Sequence, residues 1–405
     1  MKSLAEKNRE LHQQLFDYGV LILIIKNVCD SSEILNARPE IVDTLFILSF
    51  LGLIGWKLTT QRYKVWQICL LIPLILLCGY SCIRMKFFYL VFTVLSISGI
   101  QDVDLKVTMS KSAKFKLLLM GMHAIIYFTC MRIAPSMVTF SYREAGAARY
   151  TFFMGHANTF SMYMLWAVLE TWYAYYEKLS VKSIWLWWFL LWIVYYYTNS
   201  NTGMIVGTSC AVFITITKLV QKKEIKFFNF LAGYLFPIFS ALFITTSVIY
   251  TKISGGLLEA YKTFDKMLTG RLMYGACAYD MKGFSIIGKQ LVFPRKFFWF
   301  DRWMDGMVFD NSYIWLFVSY GVVFMILISI GFWYIRKRLT TIEAIMVSSY
   351  CIYGVMENYI LNCVLCFPIL FVGKYIFSNK IKAKPRVRAI YHRKKLTPKD
   401  GKDVA

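Results

Sequence analysis

Apolar segments follow one another along almost the whole sequence, separated by short stretches that carry charge. Hydrophobic residues make up 58% of the 405 residues, and the mean hydropathy is +0.51. Runs of about 17 to 25 apolar residues are long enough to cross a bilayer as helices. A helix also satisfies its own backbone hydrogen bonds, which lipid cannot do. The sequence therefore predicts an all-α polytopic integral membrane protein.

Hydropathy and length place about twelve spans in residues 1–377, which are predicted to form one membrane domain. The predicted spans cover residues 16–29, 41–57, 65–83, 87–100, 117–134, 158–176, 184–199, 203–220, 229–250, 312–335, 341–357 and 361–377. The polar stretch at residues 252–311, between the ninth and tenth spans, is predicted to be an outward-facing loop that acts as a lid. The remaining residues, 378–405, are predicted to form a basic cytoplasmic tail.

Basic residues outnumber acidic ones, 46 against 23, which gives a net charge of +23. They flank the apolar runs, which is typical of membrane topology and not of a nucleic-acid partner. With the N-terminus inside, the cytoplasmic side receives the basic hinges at residues 57–64, 106–116, 178–182, 218–223 and 336–338. Arg84 and Lys86 fall outside as exceptions. The chain is therefore predicted to be a multi-pass protein of the cytoplasmic membrane with both termini in the cytoplasm.

The first outward segment, residues 132–158, places three basic side chains directly before a span: Arg143, Arg149 and His156. Asn158 is suited to cap that helix. A helix N-terminus beside two guanidinium groups favours an anion such as a phosphate, although juxtamembrane arginines also commonly meet lipid headgroups. His156 is open to two interpretations, a capping or interfacial residue and a proton acceptor or substrate donor.

A second outward segment, TNSNTG at residues 198–203, turns the chain from one span directly into the next. Asn199, Ser200, Asn201 and Thr202 are all residues that form such turns readily. The alternative is that their amides and hydroxyls line the outer mouth of a cavity and hydrogen-bond to sugar hydroxyls. The sequence leaves both interpretations open.

The long loop contains two helical patterns with an arginine between them. Apolar residues recur at helical spacing over residues 257–268, which predicts a helix on the membrane surface or against the spans, ending near Gly270. A second helix-like stretch, LMYGACAYDMKG, ends at Gly283. Arg271 therefore lies at a helix junction, which suits a rigid anion clamp. A solvated charge is the alternative.

Acidic and amide side chains mark the outer ends of two later spans. Asn311 can cap the tenth span, and Asp310 can orient an arginine or a substrate hydroxyl. Glu357 lies at the outer end of the eleventh span, where an acid is costly and is a functional candidate. Its expected partner is Arg271 or Arg149. An exposed carboxylate in a short turn is the alternative.

The sequence carries no nucleotide-binding loop, no outward-facing pair of acidic metal ligands and no HExxH motif, so neither a cofactor nor a metal is predicted. The ten cysteines are scattered, mostly inside apolar runs, without zinc or disulfide spacing. Chemistry outside the membrane without nucleotide or metal indicates a substrate already activated as a lipid diphosphate.

Five local patterns occur along the chain: RYTFFMGHANTFSMY, YYYTNSNTG, LTGRLMYG, DNSYIWLFVSYG and MENYILN. With about twelve spans and a large outer loop before the last ones, this set resembles the O-antigen polymerase family, which is related to the O-antigen ligases. The resemblance covers most of the chain and is greatest to capsular or exopolysaccharide polymerases of Gram-positive bacteria. Two positions depart from the family pattern: Ala157 stands where GHPN has proline, and Asn201 stands where the turn often has arginine.

The resemblance implies a metal-independent membrane glycosyltransferase that makes polysaccharide on the outer face of the membrane. It would transfer a glycan from polyprenyl (undecaprenyl) diphosphate to a hydroxyl of a second lipid-linked repeat unit. Arg149 and Arg271 would stabilise the departing diphosphate, and His156, or else Glu357, would accept the proton of the attacking hydroxyl. The implied partners are lipid-linked oligosaccharide repeat units, membrane lipid, and chain-length regulator and flippase proteins.

The residues predicted to bind substrate are Arg143, Asn158, Asn199, Asn201, Asp310 and Asn311. Two other functions stay open at this point. A ligase would move the finished glycan to a different acceptor. A flippase or other carrier of lipid-linked oligosaccharides would have matched halves, whereas this chain shows no internal repeat and concentrates its arginines on one outer side.

Overall fold

The computed structural model describes residues 4–142, 146, 148–220, 225–300, 302–304, 306–307 and 309–377. These residues form mainly α-helices, whose bounds are α1 Leu4–Ser31, α2 Glu40–Thr60, α3 Val65–Met85, α4 Tyr89–Ser98, α5 Leu105–Ile133, α6 Ala157–Tyr175, α7 Val181–Thr198, α8 Asn201–Val220, α9 Lys226–Ile249, α10 Gly255–Met267, α11 Arg271–Lys282, α12 Ser312–Trp315, α13 Val322–Ile335, α14 Thr341–Met356 and α15 Leu370–Ile376. Two antiparallel hairpins pair β1 Phe140–Tyr142 with β2 Ala148–Tyr150, and β3 Phe297–Trp299 with β4 Arg302–Met304.

Within these residues, five helices are long and apolar enough to cross a membrane: α2, α3, α5, α8 and α9. The chain is therefore a mostly helical protein with membrane-type helices, as the sequence predicted. The total of twelve spans stays a prediction. The two hairpins were not predicted, because three-residue strands are too short to leave a periodic pattern.

Helices α6 and α14 form the centre of the bundle. Their side chains are buried on nearly all sides, from Phe160 to Tyr173 in α6 and from Thr341 to Gly354 in α14. Trp166 of α6 meets Tyr353 of α14 edge to face, with 5.3 Å between ring centroids. A helix that is apolar all round is expected at such a central position. The start of α6 and the end of α14 both lie at the candidate site described below.

Helix α5 is longer than the sequence predicted. A span was expected at 117–134 with a basic hinge at 106–116, but α5 begins at Leu105 and runs through both. The Asp104 carboxylate caps this helix by accepting a hydrogen bond from the backbone N–H of Lys106 at 2.9 Å. The prediction of a hinge is therefore wrong, because the lysines lie on helical turns that continue into the span.

One of these lysines, Lys116, forms a fully buried ion pair with Glu170 of α6. The Lys116 Nζ lies 2.5 Å from Glu170 Oε1, and neither side chain is exposed. Ser112 donates a hydrogen bond to the other carboxylate oxygen at 2.8 Å. Lys116 also donates to the backbone carbonyl of Val364. Both charges are paired and hydrogen-bonded, as a dry interior requires.

We expect Lys116→Met to lower the stability by about 3 to 5 kcal/mol, because it leaves the Glu170 carboxylate buried and alone. The double variant Lys116→Met with Glu170→Gln should recover part of that loss, since no unpaired charge remains. The apparent unfolding temperature in detergent measures both effects. Equal unfolding temperatures for the single and double variants would contradict this interpretation of the pair.

The predicted tenth span, residues 312–335, is interrupted near its middle. Helix α12 passes into a π-helical turn at Leu316–Tyr320, and α13 begins only after Gly321. Gly321 has a φ of 109°, and a Cβ placed there would lie 2.4 Å from the carbonyl oxygen of Ile286. A residue with a side chain would be strained by both the backbone angle and this contact.

A stretch of the long loop supplies hydrogen bonds to the interrupted helix. The Ser285 N–H donates to the Phe317 carbonyl at 3.0 Å. The Lys289 N–H donates to the Ser319 carbonyl at 2.9 Å, and the Val322 N–H donates to the Ser285 carbonyl at 2.9 Å. Irregular backbone in a membrane bundle is tolerated where protein satisfies it in this way. This part of the loop is thus packed against the bundle.

We expect Gly321→Ala to lower the stability by about 2 kcal/mol or more, from the cost of positive φ and the overlap with Ile286. Gly79→Ala is a matched control, because a Cβ at Gly79 in α3 meets nothing within 4 Å. Thermal unfolding of both variants in detergent tests this. A Gly321→Ala protein as stable as the Gly79→Ala protein would rule out the proposed constraint.

The predicted last span, residues 361–377, is helical only in its second half. Residues 357–366 form an irregular buried segment that leads to a 3-10 turn and α15. Side chains hold its backbone, since Thr93 donates to the Leu361 carbonyl and Lys116 to the Val364 carbonyl. Hydropathy predicted a helix here because it measures apolar character. Hydrogen bonds from distant side chains to the backbone carbonyls leave no signal in the local sequence.

Candidate functional site

Arg149 of β2 connects three elements at one end of the bundle. Its side chain is buried, with 5% exposure. The Arg149 Nε donates to the carbonyl of Thr198, the last residue of α7, at 2.8 Å. Its Nη2 donates to the side-chain oxygen of Asn158 in the first turn of α6. Asn158, which was predicted to bind substrate, therefore orients Arg149.

The segment between Arg149 and α6 has an unusual backbone. Phe152 and Phe153 have φ angles of 52° and 56°, a conformation that aromatic residues seldom adopt. Both rings are buried, and Phe152 stacks on Phe160 with 4.1 Å between centroids. Backbone strain held by surrounding packing is common at functional sites. Here it sets the direction in which the chain reaches His156.

His156 is the N-cap residue of α6. Its Nδ1 accepts a hydrogen bond from the backbone N–H of Asn158 at 3.2 Å. Burial and the neighbouring Arg149 lower the pKa of His156, against an opposing effect of Asp310. The neutral ring therefore carries its proton on Nε2. This tautomer leaves an N–H donor on an exposed residue and favours a donor role over a proton-acceptor role.

The junction between α10 and α11 fixes Arg271, as the sequence predicted. Gly270 has a φ of 81° and separates the two helices. Asp265 of α10 caps α11, since its carboxylate accepts from the backbone N–H groups of Leu272 at 2.8 Å and Met273 at 3.2 Å. The first N–H groups of α11 are thus already engaged. Any anion at this junction must be held by the Arg271 side chain.

The Arg271 guanidinium is buried, with 8% exposure, and faces carbonyl oxygens. Its Nη1 donates to the Leu268 carbonyl at 2.9 Å. Its Nη2 donates to the carbonyl of Met356, the last residue of α14, at 2.8 Å. The nearest carboxylate, Asp310, is 3.9 Å away, and the buried Nε–H has no hydrogen-bond partner in the described residues. A buried N–H group without a hydrogen-bond partner is unfavourable, so this Nε–H favours the binding of an additional ligand.

The end of α14 is held by the residues that open α12. The Asn311 Nδ2 donates to the Val355 carbonyl at 3.0 Å, and Ser312 Oγ donates to the Glu357 carbonyl. The Asn311 side-chain oxygen also accepts the backbone N–H of Tyr313 at 3.0 Å, which confirms the predicted cap. Asn311 is therefore engaged on both sides as a structural residue, and Asp310, directly before it, has a fixed position.

Glu357 lies just beyond the end of α14 and is 5% exposed. Its Oε1 accepts a hydrogen bond from the Thr202 hydroxyl at 3.0 Å. Burial, followed by the charge of Asp310, raises the pKa of Glu357 to about 8, although Arg271, Thr202 and Arg149 oppose this shift. The carboxyl group is therefore mostly protonated near pH 7 and works as a neutral acid in the resting site.

Asp310 is more accessible than the two arginines. Its side chain is 39% exposed. Partial burial raises its pKa, and the nearby Arg271 and His156 act in the opposite direction. Asp310 and His156 thus form the exposed face of the site, and Arg149, Arg271 and Glu357 lie beneath them.

The structure brings together most of the predicted residues but changes several roles. Arg143 lies outside the described residues. Asn199 has a φ of 47° and ends α7, as a turn former would, and Asn201 begins α8. From this turn, Thr202 is the residue that reaches Glu357. The sequence marked Thr202 only as one of four turn formers and not as a partner of Glu357, because a threonine in a turn has a sufficient local explanation.

Comparison of the chain with protein-family models, with curated proteins and with solved structures gives no match. The family resemblance drawn from the sequence motifs therefore stays a prediction.

The raised pKa of Glu357 predicts a pH-dependent stability. The group titrates near 4.5 in its ordinary state and at about 8 in the folded protein. The free energy of unfolding should therefore be greatest below pH 4.5 and should fall as the pH rises towards about 8. The side chain introduced by Glu357→Gln cannot ionise. Between about pH 5 and 8, the apparent unfolding temperature of this variant should therefore fall by several degrees less than that of the wild type.

Glu259→Gln is the control for this measurement, because the Glu259 side chain on α10 is 71% exposed. Its curve should follow the wild type. Parallel curves for Glu357→Gln and the wild type would mean that the Glu357 carboxyl is not held protonated.

Proposed function

We propose that the chain is a polysaccharide polymerase that transfers a glycan from a polyprenyl diphosphate to a hydroxyl of a second lipid-linked repeat unit on the outer face of the cytoplasmic membrane. The observation that carries this proposal is the meeting of two buried arginines, Arg149 and Arg271, with Asp310 and Glu357 at one end of a bundle of membrane-type helices. Capsule, exopolysaccharide and O-antigen-like glycans are the products that such a transferase would make.

The charges around the site favour an anionic ligand. Glu357 and His156 are neutral near pH 7, so among the described residues of the site two guanidinium groups stand against the carboxylate of Asp310. The open Nε–H of Arg271 is a further donor. Buried guanidinium groups bind phosphate oxygens with short, charge-assisted hydrogen bonds. A diphosphate supplies both the negative charge and the acceptors.

The same groups suit the transfer step. The barrier lies in expelling a diphosphate from an anomeric carbon, and fixed cations that hold the growing negative charge lower it. Arg149 and Arg271 are fixed by backbone carbonyls, so they need little rearrangement during the reaction. The Nε2–H of His156 can donate to a phosphate or sugar oxygen.

The position of the site also suits a lipid-linked substrate. It lies where α6 and α8 begin and where α7 and α14 end, and hence at one end of the helical bundle. A polyprenyl chain beside the apolar helices would place its diphosphate at this level. Transfer between two lipid-linked units needs neither a nucleotide nor a soluble donor.

An O-antigen-ligase-like transferase is the alternative within the same chemistry, since it uses the same donor and differs in its acceptor. The product separates the two functions. A polymerase joins repeat units on lipid, whereas a ligase leaves lipid-linked polymer intact and attaches it elsewhere.

We expect substitution of Arg271 or Arg149 to block polymerisation. Cells that carry only the variant Arg271→Lys or Arg149→Lys should accumulate lipid-linked single repeat units and lose long glycans by at least about tenfold, because lysine keeps a charge but lacks the planar fork that binds phosphate. Analysis of lipid-linked and surface glycans measures this outcome.

Arg84→Lys is the matched control, since Arg84 on α3 is exposed and stacks over Tyr80. It should give glycans of normal length. Normal glycans in both site variants would reject the assignment of the two arginines. Unchanged glycans after deletion of the whole gene would reject the proposed function itself.

A further inference from the structure

Among the described residues of this site, Asp310 is the carboxylate that is both held in place and open to the outside. Asn311, the next residue, is fixed by bonds to Val355 and to the first turn of α12. The Asp310 side chain itself is 39% exposed, and its closest cation is Arg271 Nη2 at 3.9 Å, beyond hydrogen-bonding distance. The carboxylate therefore has lone pairs available for a substrate hydroxyl.

The groups around Asp310 come from several elements. Burial raises the pKa of Asp310, whereas Arg271 of α11 favours its ionised form; His156 at the start of α6 does so only when it is protonated. Glu357 interacts with it from the end of α14, and Tyr359 from the irregular segment that follows. The Asp310 side chain is 39% exposed and Glu357 is 5% exposed, so water stabilises a negative charge on Asp310 more than one on Glu357.

We propose that Asp310 is the catalytic residue that takes the proton from the attacking sugar hydroxyl. This assignment depends on the proposed function above. The two other candidates are less suited: His156 has its Nδ1 engaged with the Asn158 N–H and presents a protonated Nε2, and Glu357 is 5% exposed and bound to Thr202. Asp310 alone combines an acceptor oxygen with access.

The acceptor hydroxyl loses its proton to an Asp310 Oδ, and its oxygen forms a bond to the anomeric carbon of the donor glycan. The bond between that carbon and the diphosphate oxygen breaks, and the electron pair leaves with the polyprenyl diphosphate. Arg149 and Arg271 hold the departing charge. No oxidant, metal or further reactant enters the step.

Donor binding would also prepare the base. A diphosphate beside Arg271 places negative charge near Asp310, which raises the affinity of that carboxylate for a proton. The base would therefore be strongest when the donor is present. This coupling limits deprotonation of the acceptor to the loaded site.

The test uses the full chain in lipid nanodiscs with lipid-linked repeat units extracted from cells that lack the gene. Asp310→Asn should lower turnover by about 100-fold or more. Its affinity for undecaprenyl diphosphate, used as the binding probe, should be unchanged or higher, because a negative charge beside Arg271 is removed. Turnover within about threefold of the wild type, or an affinity that falls in parallel with turnover, would overturn the assignment.

A second variant separates Asp310 from His156. His156→Gln keeps a side-chain N–H donor but cannot act as a base, so its turnover should fall by less than about tenfold. A loss of about 100-fold or more would assign the base to His156 and overturn the proposal, even where Asp310→Asn is too unstable to purify. If the wild-type chain does not turn over the repeat units at all, the proposed function fails, and the failure does not concern Asp310.

Discussion

The hydrogen bond from Arg271 to the Met356 carbonyl, 2.8 Å long, joins the long loop to the centre of the molecule. It lets a loop arginine cap α14, where a cation is favoured by the helix dipole. Carbonyl oxygens bind the two Nη groups of this guanidinium, and the nearest carboxylate in the described residues, Asp310, is 3.9 Å away. Glu357, the next residue along the chain, stays mostly protonated near pH 7 because burial and the charge of Asp310 raise its pKa to about 8 against the opposing effect of Arg271.

The arrangement of the site follows from unequal burial of two carboxyl groups. Glu357 is deep and held by Thr202, so burial favours its neutral form. Asp310 is partly exposed and closer to cations. Two acids with different environments can take different roles, one as a neutral structural group and one as a base. The open Nε–H of Arg271 is then a donor for an anionic substrate.

Parts of this site could be predicted from the sequence because local signals exist. Gly270 and Gly283 mark the two ends of α11 and so place Arg271 at a helix junction. Glu357 was a candidate because an acidic side chain at a membrane boundary is costly. The contact between Thr202 and Glu357 could not be predicted in this way. It joins residues far apart in sequence, and each has an adequate local explanation.

The incorrect span boundaries have a common physical cause. Hydropathy treats charge as the end of a span, but Lys116 is neutralised by Glu170 inside the bundle. Hydropathy also predicts a helix wherever the chain is apolar. The helix predicted at residues 312–335 is interrupted at Gly321, however, and the segment at 357–366 is irregular. In each case, residues far away in the sequence pair with the charge or form hydrogen bonds with the backbone. Such partners are visible only in the folded structure.

The central claim is that Arg149 and Arg271 bind a lipid diphosphate together. The most direct test is a cryo-electron microscopy structure of the full chain in nanodiscs with undecaprenyl diphosphate. The account predicts diphosphate density within hydrogen-bonding distance of the Arg271 Nε and beside Arg149, with Asp310 at the open side. Density for the diphosphate elsewhere on the protein, with both guanidinium groups unchanged, would contradict it.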